Sequence, residues 1–151
     1  MRKIVLAVLA VLASALSACG TVEPPKKVEW IVAPPGAVAP LVAAEVARAD
    51  AGHRQLLVYV GATWCEPCRR FHEAVQAGKL DAQLGSLRLV EFDLDRDAAR
   101  LKDAGYDPKL IPLLALPNSD GHASGRQMEG SVKGDGAVDQ MVPRLLALIA
   151  R

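Results

Sequence analysis

The feature that most restricts this chain is Trp64-Cys65-Glu66-Pro67-Cys68, set between two segments of different periodicity. Before it, Leu56-Leu57-Val58-Tyr59-Val60 is a continuous apolar run rich in β-branched residues, which predicts a buried strand. After it, Arg69 to Ala77 contains no helix breaker. Cys68, Phe71 and Val75 recur there at i, i+3 and i+7, which is one face of a helix. Pro67 stands where proline suits a first helical turn. The cysteine pair therefore falls at a strand-to-helix junction.

That placement has chemical consequences. A helix N-terminus presents unpaired N–H groups and the positive end of the helix dipole, and both favour an anion. A thiolate at Cys65 is stabilised there, so its pKa is expected below the free-cysteine value of about 8.5. Cys68 follows three residues later, near enough to close a disulfide and covered in part by the helix. An exposed attacking thiolate with a sheltered resolving thiol is what two-step thiol–disulfide exchange requires. The same spacing is half of a tetrahedral zinc site, but no second CxxC exists and His53, His72 and His122 are scattered. His72 reads as a solvated helix residue. No metal ion is expected. Metal binding and, behind it, a purely structural disulfide are the competing readings.

The chain has 151 residues, 51% of them hydrophobic, enough for one domain and not two. The net charge is +1, and setting aside Arg2 and Lys3 leaves 16 basic against 17 acidic residues, a net −1. That near-neutrality points away from a nucleic-acid partner.

Residues 1–18 read as a targeting segment: Arg2-Lys3, then the apolar run Ile4 to Leu12, then small residues. The run is too short for a comfortable span of about 20 residues. Leu16-Ser17-Ala18-Cys19 resembles the lipobox of bacterial lipoproteins, which implies cleavage before Cys19 and acylation of its sulfur. Gly20 after that cysteine would, in Gram-negative lipoproteins, direct the protein to the outer membrane. The alternative is an ordinary secreted protein in which Cys19 is incidental. With Cys19 committed to lipid, two cysteines remain, both in the CxxC, and export plus a lone pair point to redox work outside the cytoplasm. Residues 19–27, with Pro24-Pro25-Lys26-Lys27, read as a tether, and 28–151 as the folded domain.

Within the domain, periodicity and breakers predict a strand at 28–33, a helix from Val38 to about Asp50, a strand at 56–62 and a helix at about 66–77. A strand follows at 87–94, then a helix at 95–104 capped by Asp95 or Asp97 and ended by Gly105. A short strand at 113–116, a turn at Asn118 to Gly121 and a strand at Gln127 to Glu129 form a hairpin. A closing helix carries Val138 to Ile149, with Pro143 imposing a kink or a late start. The order β-α-β-α-β-α-β-β-α predicts an α/β fold, a central mixed sheet of four to five strands with helices on both faces.

Trp64-Cys65-Glu66-Pro67-Cys68 after a buried strand, followed by Ile111-Pro112 ahead of a hairpin, resembles the thioredoxin superfamily over nearly all of residues 28–151. The resemblance implies a thioredoxin-like fold and protein-disulfide oxidoreductase activity, with Cys65 as attacking thiolate and Cys68 as resolving thiol. It also implies a cis peptide before Pro112, leaving the backbone at Ile111 free to pair with an extended substrate. Trp64 is either an apolar shelf for substrate or a core residue. Thioredoxins carry a buried Asp six residues before the first cysteine, where this chain has Tyr59; the family's buried Lys on the next strand aligns with Glu91. Glu91 either lies beneath the cysteines, where it can accept the Cys68 proton, or faces solvent, and one residue of register separates the two.

Between the cysteines, Glu66-Pro67 tunes redox poise, because a carboxylate disfavours a nearby thiolate and so favours the reductant. The dipeptide resembles that of membrane-tethered reductases serving cytochrome c maturation, and the downstream spacing resembles the C-terminal domain of the transmembrane disulfide-reducing system. These likenesses imply reduction of disulfide-containing envelope proteins on the periplasmic side. No Gly-rich nucleotide loop is present, so no cofactor is expected and electrons come from an external thiol donor, with a transmembrane disulfide-reducing protein as one candidate. The alternative class is a Cu(I)-handling lipoprotein using Cys65, Cys68 and a histidine, although copper-carrying relatives space their cysteines differently.

Overall fold

Strand β2 (Gln55–Gly61) is the middle of the sheet, and Leu56 through Gly61 are buried. The computed structural model describes residues 26–150. The targeting segment 1–18, Cys19 and the tether as far as Pro25 lie outside the described residues, while Lys26 and Lys27 are exposed irregular chain.

The remaining elements follow in order. They are β1 (Glu29–Val32), α1 (Val38–Ala51), then β2 and α2 (Glu66–Gln76), a single turn α3 (Asp81–Leu84), β3 (Leu87–Asp93) and α4 (Leu94–Asp103). A hairpin of β4 (Leu113–Pro117) and β5 (Ala123–Glu129) precedes α5 (Ala137–Ile149). The five strands are ordered β1-β3-β2-β4-β5. β1 and β2 run parallel to β3, β4 is antiparallel to β2, and β5 is antiparallel to β4. This is the α/β mixed sheet expected from the element order.

Helices cover both faces, which is why β2 is apolar throughout rather than alternating. Leu56, Val58 and Val60 join Val90, Phe92, Val42 of α1 and Leu101 of α4 in one core. Leu57 and Tyr59 join Leu89, Leu114, Phe71 of α2 and Met141 of α5 in the other. The second core also contains both cysteines of the motif. The site is therefore an edge of the hydrophobic core.

Three local expectations are corrected. The cap of α4 is Asp93, whose carboxylate accepts from the Arg96 amide at 3.1 Å. Asp97 reaches back instead, accepting from the Asp93 amide at 2.9 Å, so the two carboxylates satisfy the helix start reciprocally. The late start offered for α5 is not found: the helix begins at Ala137 and contains Pro143. Pro143 is exposed, so the carbonyl it leaves without a helical donor faces water. β5 begins at Ala123, four residues earlier than its apolar pattern suggests. It is an edge strand whose Gly125, Arg126 and Gln127 face solvent, and exposure erases the alternation.

Asp97 ties α4 to the loop after β1. It is buried, and it accepts from Arg96 and from Arg100, which also donates to the carbonyls of Pro34 and Gly36. Burial works against its ionisation, but the hydrogen bonds from Arg96, the Asp93 amide and Arg100 outweigh it and hold the carboxyl below the usual range. A depressed folded pKa stabilises the fold at pH above the unfolded value of about 3.9, and that stability is lost as pH falls through the folded value. Chemical denaturation of wild type should therefore show a drop in stability below about pH 4, and Asp97→Asn should be less stable at neutral pH and lose much of that acid dependence. An unchanged acid limb in the variant would remove Asp97 from the account.

Candidate active site

From Gly61 the chain runs through Ala62, Thr63 and Trp64 to Cys65, which is the N-cap of α2. Glu66 and Pro67 are the first two helical residues, the position anticipated for proline. The Cys65 sulfur accepts from the Cys68 backbone N–H at 3.3 Å, so the helix terminus acts directly on this sulfur. Cys65 and Cys68 are joined as a disulfide with Cα atoms 5.2 Å apart.

The expected contrast between an exposed and a sheltered cysteine is not in their surface area: Cys65 is 5% and Cys68 3% exposed. The contrast lies in what each faces. Cys65 borders a groove of about 640 Å³ between the start of α2, the loop before β4 and the loop after β5. Cys68 borders a separate cavity of about 360 Å³ with Tyr59, Arg69, His72, Glu91 and Asp93. The two sulfurs of one disulfide thus meet different surroundings, Cys65 the groove and Cys68 the cavity lined by Arg69, His72, Glu91 and Asp93.

The groove is apolar at its mouth. Among the described residues the large hydrophobic side chains most exposed are Val32, Trp64, Leu110 and Val132, and all but Val32 border this groove. Exposed apolar surface gathered around one opening marks a docking surface. Trp64 is 65% exposed, which rules out core packing, and its indole N–H donates to Asp95 at 2.9 Å. Ile111 borders the groove, Pro112 is buried, and the peptide between them is cis.

Glu66 is not an isolated charge. Arg70, one turn along α2, donates to it at 2.9 Å and to Asp135 at 2.8 Å. The hydrogen bond from Arg70 holds the Glu66 carboxyl below its ordinary range, with the Arg70 charge and the Gly134 amide adding to the effect. Glu66 thus stays ionised, but its field at Cys65 is that of an ion pair, weaker than the lone carboxylate considered from the sequence.

Behind Cys68, Tyr59 is 1% exposed and its hydroxyl donates to the Cys68 carbonyl at 3.2 Å. Burial, with the Glu91 carboxylate adding to it, pushes that hydroxyl far above the ordinary phenol range. Tyr59 therefore remains a donor and does not replace the acid that thioredoxins carry at this position. Tyr59 pairs with Glu91 across β2 and β3. Glu91 is neither fully buried nor free in solvent: it is half-buried, lines the Cys68 cavity and accepts from the Trp30 indole at 2.7 Å.

Trp30 was not singled out from the sequence. It packs against Tyr59 at 4.9 Å, Phe71 at 6.2 Å and His72 at 4.7 Å between ring centroids. His72 is accordingly not a solvated helix residue; it is half-buried beneath Trp30 and lines the cavity. The signal for Trp30 was a lone aromatic in a short strand, and only the parallel register β1–β3, which pairs Trp30 with Leu89 and Val32 with Glu91, brings its indole within reach of the Glu91 carboxylate. Among the described residues no three His, Cys, Asp or Glu side chains gather to hold a metal ion.

No protein-family model matches the chain, and no curated protein matches it. Solved structures do. Thioredoxin O1 from Arabidopsis thaliana in its oxidised state superposes with a TM-score of 0.50 at 17% identity, covering 81% of this chain and 96% of that one. A disulphide isomerase from Xylella fastidiosa Temecula1 aligns at 22% identity and a TM-score of 0.46, over 73% of this chain and 86% of its own. A chloroplastic thioredoxin z aligns at 21% identity and a TM-score of 0.45, over 83% and 96%. At these identities what is shared is the fold, and the first superposition is the one that carries it. The described residues form a thioredoxin-like fold, with the cysteine pair at the start of α2.

Proposed function

We propose that the chain is a thiol–disulfide oxidoreductase that reduces disulfides in other proteins through Cys65 and Cys68. The observation that carries this is the division of the pair: Cys65 caps α2 and borders a groove whose rim carries the exposed Trp64, Leu110 and Val132, and Cys68 borders a separate cavity with Arg69, His72, Glu91 and Asp93. In the reduced protein the Cys68 N–H that meets the Cys65 sulfur would stabilise a thiolate there. That thiolate attacks a substrate disulfide, forming a mixed disulfide and releasing the distal substrate thiolate. Cys68 then loses its proton and attacks the Cys65 sulfur, regenerating the internal disulfide and releasing the second substrate thiolate. Two electrons pass to the substrate, and an external dithiol donor must return them.

Trp64, Pro67 and Ile111 border the groove and are assigned to substrate contact, with Pro112 shaping the loop beside it. Glu91 is assigned as acceptor of the Cys68 proton, through the cavity they share and held by the Trp30 hydrogen bond. Reduction rather than oxidation is proposed because no cation stands between the cysteines, where Glu66-Pro67 offers no extra stabilisation to a thiolate. The lipobox-like Cys19 supports an anchored protein facing the periplasm, with disulfide-containing envelope proteins as substrates and a transmembrane disulfide-reducing protein as one donor.

Cys65→Ser should abolish reduction of insulin disulfides, whereas Cys68→Ser should accumulate a mixed disulfide visible on non-reducing gels. Turnover by Cys65→Ser would refute the assignment. Glu91→Gln, which keeps an acceptor for Trp30, should slow resolution of a mixed disulfide at Cys65 by about tenfold or more in single turnover. An unaltered rate would take proton transfer away from Glu91. Equilibration with glutathione should place the couple nearer thioredoxin's potential of about −270 mV than the −120 mV or so of a strong oxidant, and the latter value would reverse the proposed direction.

A further inference from the structure

The loop that lines the groove opposite Cys65 is held by a side chain from another strand. Glu129, the last residue of β5, uses one carboxylate oxygen to accept from the backbone amides of both Lys109 and Leu110, each at 3.1 Å. Its other oxygen accepts from Gln127 at 2.7 Å. Arg144 of α5 fixes Glu129 from behind, donating to its carbonyl at 2.9 Å and to the Gly130 carbonyl at 2.8 Å. The Gly130 amide in turn donates to the Pro112 carbonyl at 2.9 Å. The segment 109–112 is thus pinned at both ends. Between the pins lies Ile111, bordering the groove; among the described residues its amide donates no backbone hydrogen bond and its carbonyl accepts none.

Resting on the exchange chemistry proposed above, we propose that Glu129 is a positioning residue: its carboxylate clasps the Lys109 and Leu110 amides and so holds the Ile111 backbone as a docking edge for the polypeptide around a substrate disulfide. A backbone edge binds extended chain through paired amides and carbonyls, and such pairing is lost when the edge moves by an ångström or so. Pre-organising it lowers the ordering cost of binding. A small disulfide has no polypeptide to lay along that edge. The clasp therefore favours protein disulfides over small ones without touching the sulfur chemistry.

Two substitutions separate this role from an electrostatic one. Glu129→Gln keeps the reach and an acceptor oxygen but loses the charge; Glu129→Asp keeps the charge but shortens the reach by about 1.5 Å. The measurement is the single-turnover rate of the reduced, full-length protein with insulin divided by its rate with oxidised glutathione. The ratio should fall about tenfold in Glu129→Asp, the size of effect expected for lost hydrogen bonds to a charged group, and stay within about twofold of wild type in Glu129→Gln. Amide exchange at Lys109 and Leu110 should accelerate in Glu129→Asp and not in Glu129→Gln. An unchanged ratio or unchanged exchange in Glu129→Asp overturns the proposal, as does an equal fall in Glu129→Gln, which would assign the effect to charge. A wild type that reacts with neither disulfide is a different result: it removes the exchange chemistry itself, and the positioning role with it.

Discussion

Burial of β2 on both faces is the constraint from which the rest follows. A strand paired on both edges and covered on both faces has no freedom to shift, so the residue that follows it emerges at a fixed point. Here that point is the N-cap of α2, and Phe71 and Val75 anchor the helix to the core that Leu57 and Tyr59 also fill. Cys65 is placed by the packing beneath it more than by any bond of its own. The helix terminus then supplies an electrostatic setting that a cysteine in a loop would lack.

Around that point the two sulfurs meet different surroundings. On the groove side, apolar Trp64, Leu110 and Val132 lie open, Glu66 is paired with Arg70 and Glu129 accepts from two backbone amides. On the Cys68 side, Glu91, Asp93, Arg69 and His72 line a separate cavity together with Tyr59, against which Trp30 packs. Exchange with a protein disulfide needs both settings, a surface that accepts apolar chain and a place where a proton can go. One disulfide touches both because its cysteines are three residues apart at a helix start, which turns their sulfurs together but their surroundings apart.

The elements near the motif were legible because their signals are local. The apolar run of β2, the i, i+3, i+7 face of α2 and the proline in its first turn each concern fewer than a dozen consecutive residues. Elements at the sheet edge were less so. β5 reads as polar chain because one of its edges and much of its face meet water, and α4 takes its cap from a residue that the pattern had placed in the preceding strand. Pro143 misleads in the opposite way: it suggests a late start, yet it lies inside α5 on an exposed position.

By itself the sequence determined that two thiols lie at a strand-to-helix junction, that one of them caps the helix, and that a mixed sheet with helices on both faces surrounds them. Those properties depend on neighbours along the chain. Which cavity each sulfur meets was decided only in three dimensions. Tyr59 stands opposite Glu91, and Trp30 reaches that carboxylate across 61 residues of chain, because parallel strands align by the register of their buried side chains. The groove is likewise assembled from loops before β4 and after β5, joined by a Glu129 side chain whose partners are backbone amides and so leave no mark in the residues they belong to.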